Sequence, residues 1–220
     1  MTFAVLGASG RTGAMAVSYC LRLGHNARGL VRNPARMPQM PEGGAGVFEA
    51  VRGDVTEREA VRNLISGADA VISALGPTEL RTGFKVHSSA ARHLSELMPE
   101  AGISRYVAVS GASLSVPTDK FSIRGKFFSG AAYLLTKTNR SLKNLLDDKR
   151  AEYEILCESG LDWTVVRPPW ITPEPYRRDA NITPFKPGGI KVRVAELGKA
   201  LVDLAVDGRF NKQAVFINSV

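Results

Sequence analysis

The chain has 220 residues, 44% of them hydrophobic, with 21 glycines, enough apolar content for one globular core of ordinary size. Net charge is +8, but the basic residues, among them Arg28, Arg32, Arg62, Arg92, Lys143, Arg150 and Arg193, are scattered rather than gathered into runs interleaved with aromatics. That distribution argues against a nucleic-acid groove and fits a solvated surface plus a pocket for a polyanion.

Short β-rich runs alternate with helical patterns from the start, the sequence form of repeated βαβ units. Phe3–Leu6 reads as the first strand, followed by a helix over about 11–23 and a second strand at Ala27–Val31. Residues 33–46, with Pro34, Pro38, Pro41 and three glycines, read as a surface loop. Next come a strand at Val47–Arg52, a helix over 56–66, a strand at Ala70–Ala74, a helix over 84–101 and a strand at Tyr106–Ser110. An irregular segment over 114–138 leads to a long helix over 138–159 and a strand at Trp163–Val166. The proline-rich Pro168–Pro175 precedes a last helix over 194–206 and a last strand at Ala214–Ile217. Most strands are continuously apolar, as strands buried on both faces are. The expected fold class is α/β, a Rossmann-type doubly wound parallel sheet forming a single domain over 1–220. Such sheets place their crevice at the carboxyl ends of the strands, so 114–138 and 168–190 should form the substrate pocket.

Cys20 and Cys157 lie in apolar helical patterns far apart, with no CxxC or Cys/His cluster, which predicts reduced core thiols and no metal site. The N-terminus lacks a basic leader and cleavage site, and no apolar run reaches bilayer length. A cytoplasmic protein with no membrane partner is expected.

The most informative motif is Gly7-Ala8-Ser9-Gly10-Arg11-Thr12-Gly13, placed between a strand and a helix. Its glycines permit a tight turn and close backbone approach, and a helix N-terminus offers N–H groups and partial positive charge to a pyrophosphate. Gly7, Ser9, Gly10, Arg11, Thr12 and Gly13 are therefore candidate cofactor-binding residues. NAD-binding proteins usually carry an acid at the end of the second strand. Here that place holds Arg32, whose fork matches a 2′-phosphate and points to NADP(H), with Arg11 as a second contact. Asp54 and Val55 follow the third strand; Asp54 reads equally as an adenine-side residue and as a cap for the next helix. Ala74, Leu75 and Gly76 follow the fourth strand, where small residues let the cofactor pass close, and Pro168 borders the same crevice after the sixth.

The segments GASGRTG, LVRNP, GDVT, VISALG, YVAVSGAS, SGLDWTVVRPP and IKVRVAELGKALVDLA resemble, in order and spacing, the atypical and extended short-chain dehydrogenase/reductases. The likeness extends nearly end to end and is greatest for the small single-domain branch that includes biliverdin-IXβ reductase/flavin reductase and NmrA-like proteins. The resemblance implies a catalytic lysine and tyrosine four residues apart, on the helix before SGLDWT. Counted back from Ser159, the lysine falls on Lys149 and the tyrosine on Leu145, while Tyr133–Lys137 (YLLTK) lies twelve residues too early. The family's serine falls near Ser110 or Ser113, Ser110 being the preferred pocket residue, able to bond a substrate carbonyl or the carboxamide.

On the helix, Leu142, Leu146, Lys149, Tyr153 and Leu156 form one amphipathic face in which Lys149 is the polar interruption. Lys149 then either meets a polar group such as the nicotinamide ribose or snorkels to solvent. His25, His87 and His93 have no evident acidic partner and read as surface or capping residues. Tyr133, Lys137, Phe127, Phe128 and Trp170 read as pocket walls.

The leading functional expectation is an NADPH-dependent reductase passing hydride to a planar or aromatic, flavin- or quinone-like small molecule, for which a missing tyrosine is tolerable. An NADP(H)-sensing regulatory protein without turnover and a redox-neutral enzyme on the same fold are the alternatives. A monomer or weak homodimer is expected.

Overall fold

The computed structural model describes residues 1–37, 44–76, 85–120 and 139–220. Pro38, Pro41, Pro77, Phe127, Phe128, Tyr133 and Lys137, and with them YLLTK and most of 114–138, lie outside the described residues. Phe3, Ala4, Val5 and Leu6 are all fully buried. Because successive side chains on a strand point to opposite faces, β1 (Thr2–Leu6) must be covered on both sides.

It is central in an eight-stranded sheet of order β3-β2-β1-β4-β5-β6-β10-β8. The strands are β2 (Asn26–Val31), β3 (Phe48–Arg52), β4 (Ala70–Ser73), β5 (Arg105–Val109), β6 (Asp162–Arg167), β8 (Asn181–Thr183) and β10 (Gln213–Asn218). All pair in parallel except β8, which runs antiparallel to β10 at the edge. This is the doubly wound arrangement expected, with a switch point between β1 and β4 where the chain reverses its direction of winding.

Two core layers follow from the alternation. Phe3, Val5, Ala70, Ile72, Val107 and Val166 face α1 (Arg11–Arg22) and α5 (Val194–Asp207), the latter through Leu197, Leu201 and Leu204. Ala4, Leu6, Val71, Tyr106 and Val165 face α2 (Arg58–Ile65), α3 (Val86–Glu100) and α4 (Arg140–Glu158), through Val61, Leu64, Leu94, Leu97 and Leu156. Among the described residues, no helix is long and apolar enough to cross a membrane.

Three short strands were not foreseen. β7 (Trp170–Thr172) and β9 (Lys191–Arg193) pair in parallel as a separate two-stranded sheet, and β8 closes the main one. Each has three residues, too short for a period-two pattern, and each exists only because a distant segment supplies its partner. A 3₁₀ turn, Pro34–Arg36, begins the 33–46 loop and is capped by the Asn33 side chain on the Ala35 N–H at 3.0 Å.

Two composition-based expectations are corrected. Cys20 is a core thiol, its pKa pushed up to about 12 by burial, but Cys157 is exposed, because α4 turns that position away from the sheet. Arg193 is not a surface charge. It is buried, with Nε 3.1 Å from Glu174 and Nη1 3.0 Å from Glu196.

Arg105 and Arg167 are buried as well, so part of the basic excess is structural. Arg105 donates to the carbonyls of Leu204 and Asp162 and to Thr164 Oγ1, tying the start of β5 to the end of α5. Arg167 forms a bidentate pair with Asp119 at 2.8 and 2.7 Å, donates to the carbonyls of Leu114 and Ala214, and stacks on Phe216 at 3.8 Å. Asp119 also accepts from the Val116 N–H at 2.9 Å, so one carboxylate folds the 114–120 turn and seals it to the sheet. Its side chain is 2% exposed and that of Arg167 is fully buried. Removing one partner leaves an uncompensated buried charge. Asp119→Ala should therefore lower unfolding free energy by about 3–5 kcal/mol, measured by urea denaturation.

Candidate functional site

The strand register places the predicted site residues along one edge. Val51, Leu30, Leu6, Ser73, Ala108 and Val165 pair successively across β3, β2, β1, β4, β5 and β6. Within a few residues beyond that row come Asp54, Arg32, the Gly7–Gly13 loop, Ala74–Gly76, Ser110 and Pro168, all at carboxyl ends of parallel strands.

The switch point is where the first loop is most constrained. Gly7 has φ +73°, and a Cβ there would lie 2.6 Å from the Ala74 carbonyl oxygen and 3.1 Å from the Leu75 nitrogen. A Cβ on Gly13 would lie 2.2 Å from the Gly7 oxygen. Only glycine permits that left-handed backbone and both approaches. The Gly10 N–H donates to the Gly7 carbonyl at 2.9 Å and turns the chain into α1. No side chain caps α1, and its first turn holds no acid, so the N–H groups and positive dipole end are available to an anion. Ser9, Gly10 and Arg11 are exposed and Thr12 is half-buried. This cradle fits a nucleotide pyrophosphate.

Arg32 is exposed immediately after β2. Asp54 is engaged by its own turn: its Oδ1 accepts from the Thr56 N–H at 2.9 Å and the Thr56 hydroxyl at 2.7 Å. Of its two readings, the turn role is the one with contacts. The Val55 side chain is packed in the core. Ala74 is buried, Leu75 half-buried and Gly76 exposed.

Beyond β5, Ser110 is buried, and its Oγ has no hydrogen-bond partner among the described residues. Ser113 is exposed. The Ser110 N–H donates to Val166 O at 2.8 Å and the Ala112 N–H to Pro168 O at 2.9 Å, joining the two strand exits. An orphaned buried hydroxyl is costly, and at this edge it is placed to meet a ligand. Lys149 does not reach solvent. It is 7% exposed, and its Nζ donates to Val109 O at 3.1 Å. Leu145, one helical turn earlier, is half-buried.

The expected apolar stripe on α4 is corrected. The buried residues of that helix are Asp148, Lys149, Glu152 and Leu156, while Leu142, Leu146 and Tyr153 are half-buried. The polar groups can face inward because each finds a partner. Asp148 accepts from the backbone N–H groups of His87 and Ser88 at 2.9 and 3.0 Å and from the Ser88 hydroxyl at 2.5 Å, so it caps the N-terminus of α3 from another helix. Its Oδ2 lies 3.0 Å from His87 Nδ1. Tyr106 donates to Glu152 at 3.2 Å.

Burial by itself would raise the Asp148 pKa, but the bonds from His87 and Ser88 outweigh it and hold the group at about 2. Burial lowers Lys149 from its ordinary value, opposed by Glu152 and Asp148. Burial raises Glu152, opposed by Lys149. Tyr106 is raised well above its ordinary range by burial and then by Glu152.

The expectation that His87 lies at the surface or acts only as a cap is thus corrected. His87 is 2% exposed and bonded to a carboxylate 61 residues away. No local spacing signals such a pair; the one hint was a histidine beside the small residues Ser88, Ser89 and Ala90 in the first turn of α3. His93 Nε2 lies 3.2 Å from Thr56 O, and His25 packs edge-on against Phe3. No cluster of metal-binding side chains occurs among the described residues.

Residues 7–207 match the NAD(P)H-binding family. Protein TIC 62, chloroplastic, of Arabidopsis thaliana is 26% identical over 200 residues, covering 81% of this chain and 29% of that protein. A 3-beta-hydroxysteroid dehydrogenase of Mycolicibacterium neoaurum is 27% identical over 121 residues, covering 50% of this chain and 32% of that one. The chain thus spans about a third of the length of these curated relatives. Among solved structures, a wide-type short-chain dehydrogenase/reductase of Veillonella parvula in complex with NADP superposes with TM-score 0.73 at 19% identity, covering 99% of this chain and 94% of that one. The chain belongs to the NAD(P)H-binding family, and its fold is that of the short-chain dehydrogenase/reductases, as the motifs implied.

Two outcomes follow from this geometry. Gly13→Ala should abolish nucleotide binding, read by quenching of intrinsic fluorescence, because its methyl would collide with the loop. Asp148 has a depressed folded-state pKa, so its contribution to stability is present above the ordinary value of 3.8 and lost as pH falls toward about 2. Urea titrations across that window should show an acid-labile component that Asp148→Asn lacks.

Proposed function

We propose that this member of the NAD(P)H-binding family is an NADPH-dependent reductase that passes hydride to a planar, conjugated small molecule of flavin or quinone type. The observation that carries the reading is the buried Ser110 hydroxyl, which has no hydrogen-bond partner among the described residues, beside Val109, whose carbonyl is held by Lys149. A polar atom left without a partner at the carboxyl edge is what a pocket for a carboxamide or acceptor carbonyl requires.

The pyrophosphate would be held by the N–H groups of the Gly7–Gly13 loop, and the 2′-phosphate by Arg32 with Arg11, both cationic and at that edge. NADPH, when bound, supplies the hydride. Lys149 holds the end of β5 in place, and Ser110 orients the ring or carbonyl presented to it. Pro168 and residues 114–120 close the crevice on the β6 side, and Trp170, 76% exposed at the start of β7, provides aromatic surface beside it. Residue 145 is leucine and cannot give up a proton. That favours acceptors whose reduced forms are stabilised by delocalisation and take their proton from water. A chain from Streptococcus pneumoniae described as a candidate NADH-flavin reductase shares the fold at TM-score 0.72 and 20% identity, covering 100% of both chains.

Purified protein should oxidise NADPH in the presence of free flavin or a quinone; inactivity with every such acceptor would sink the proposal. Arg32→Ser should weaken NADPH binding by about ten- to a hundredfold while leaving NADH little changed, the scale of a lost charge-assisted contact. Equal losses for both nucleotides would count against the 2′-phosphate assignment.

A further inference from the structure

His87 stands between two acceptors. Its Nδ1 lies 3.0 Å from Asp148 Oδ2, and its Nε2 lies 3.3 Å from the carbonyl oxygen of Leu75. A neutral imidazole has a single N–H and can serve one of them, whereas the imidazolium donates to both. Asp148, fixed by the N-terminus of α3, is ionised and faces the ring. The other charged or titratable groups around it come from two further directions. Lys149 and Glu152 share the buried face of α4, with Glu152 attracting the ring's positive charge and Lys149 opposing it. Tyr106 of β5 lies behind Glu152; Lys85 precedes the first turn of α3 and is exposed.

The second acceptor gives the ring a functional consequence. Leu75 O belongs to the β4 exit, and the adjoining Ala74–Leu75 peptide rests directly on Gly7 of the phosphate loop, leaving no room for a Cβ. A ring that holds Leu75 O therefore holds the floor under that loop. We propose that His87, as the imidazolium paired with Asp148, is a positioning residue that clamps the β4 exit against the phosphate loop and makes nucleotide affinity depend on its protonation. This rests on the reading that the same edge binds NADP(H). The direction follows from the hydrogen bonds. The clamp is complete while the ring is doubly protonated and loses its Leu75 contact when the ring gives up a proton, so affinity falls on the alkaline side.

Two measurements test this. Nitrogen NMR of the histidine rings in nucleotide-free protein should follow His87 from a form that donates from both nitrogens to one that donates from a single nitrogen. NADPH titrations by fluorescence should then show affinity weakening by about tenfold as that ring titrates, the worth of one hydrogen bond. His87→Gln, whose amide donates to Leu75 without titrating, should keep most of the affinity and lose its pH dependence. His87→Phe should bind weakly at every pH.

A His87→Gln protein with the wild-type pH slope would overturn the proposal. Should that variant fail to fold, the wild-type curves decide: coincident ring and affinity titrations support the clamp, and separated ones refute it. If no NADPH binds at any pH, the cofactor reading fails and the coupling with it, whereas the ring signal, read without nucleotide, still reports the His87–Asp148 pair separately.

Discussion

The carbonyl of Gly7 and the backbone of Gly13 approach so closely that no Cβ fits between them, and Gly7 stands in the same relation to Ala74. Much of the molecule depends on that contact. It lets α1 begin immediately after the central strand, so the uncapped end of the helix points along the carboxyl edge of the sheet. It also brings the exits of β1 and β4 together at the one place where the doubly wound topology opens a crevice. A side chain at either glycine would lift α1 from the sheet and separate the two strand exits. The fold and the phosphate cradle share one steric condition.

A second condition is electrostatic. Three consecutive-turn residues of α4, Asp148, Lys149 and Glu152, face inward, which is costly unless each charge is compensated. Compensation comes from two neighbouring elements: the first turn of α3, and β5 through the Val109 carbonyl and the Tyr106 hydroxyl. The helix is thereby keyed to both neighbours in a single register, since sliding it by one turn would strand all three groups. The same bonds reach the candidate site, because Lys149 holds Val109, the residue before Ser110, and Asp148 holds the ring that touches Leu75. Stability and site geometry are therefore carried by the same side chains.

The buried arginines repeat this logic on the other side of the crevice. Arg167 gathers residues 114–120 against β6 and β10, and Arg193 ties β9 to α5 and to Glu174. Each uses the planar, many-donor guanidinium to satisfy several acceptors at once. Residues 114–120 and Glu174, next to the candidate site, are thus held by ion pairs to buried arginines.

Much of the architecture was legible in the residue order. Among the described residues, apolar runs marked the seven longer strands, the 3.6-residue period marked the five helices, and Gly7–Gly13 between a strand and a helix marked the phosphate loop, because each signal is local. Counting from Ser159 singled out Lys149, which lies on the buried face of its helix. What local pattern could not supply was partnership. Asp148 carried no local signal at all, His87 looked like a surface or capping histidine, Arg193 like one more solvated charge, and Cys157 like a core thiol. Three-residue strands had no period to read. Each depended on a group tens of residues away, brought close only when the sheet formed. The sequence by itself determined the fold class, the cradle and the edge where chemistry belongs, since these follow from backbone freedom and apolar periodicity. The tertiary structure alone decided which charges are buried and what they hold, because desolvation and pairing are properties of neighbours in space.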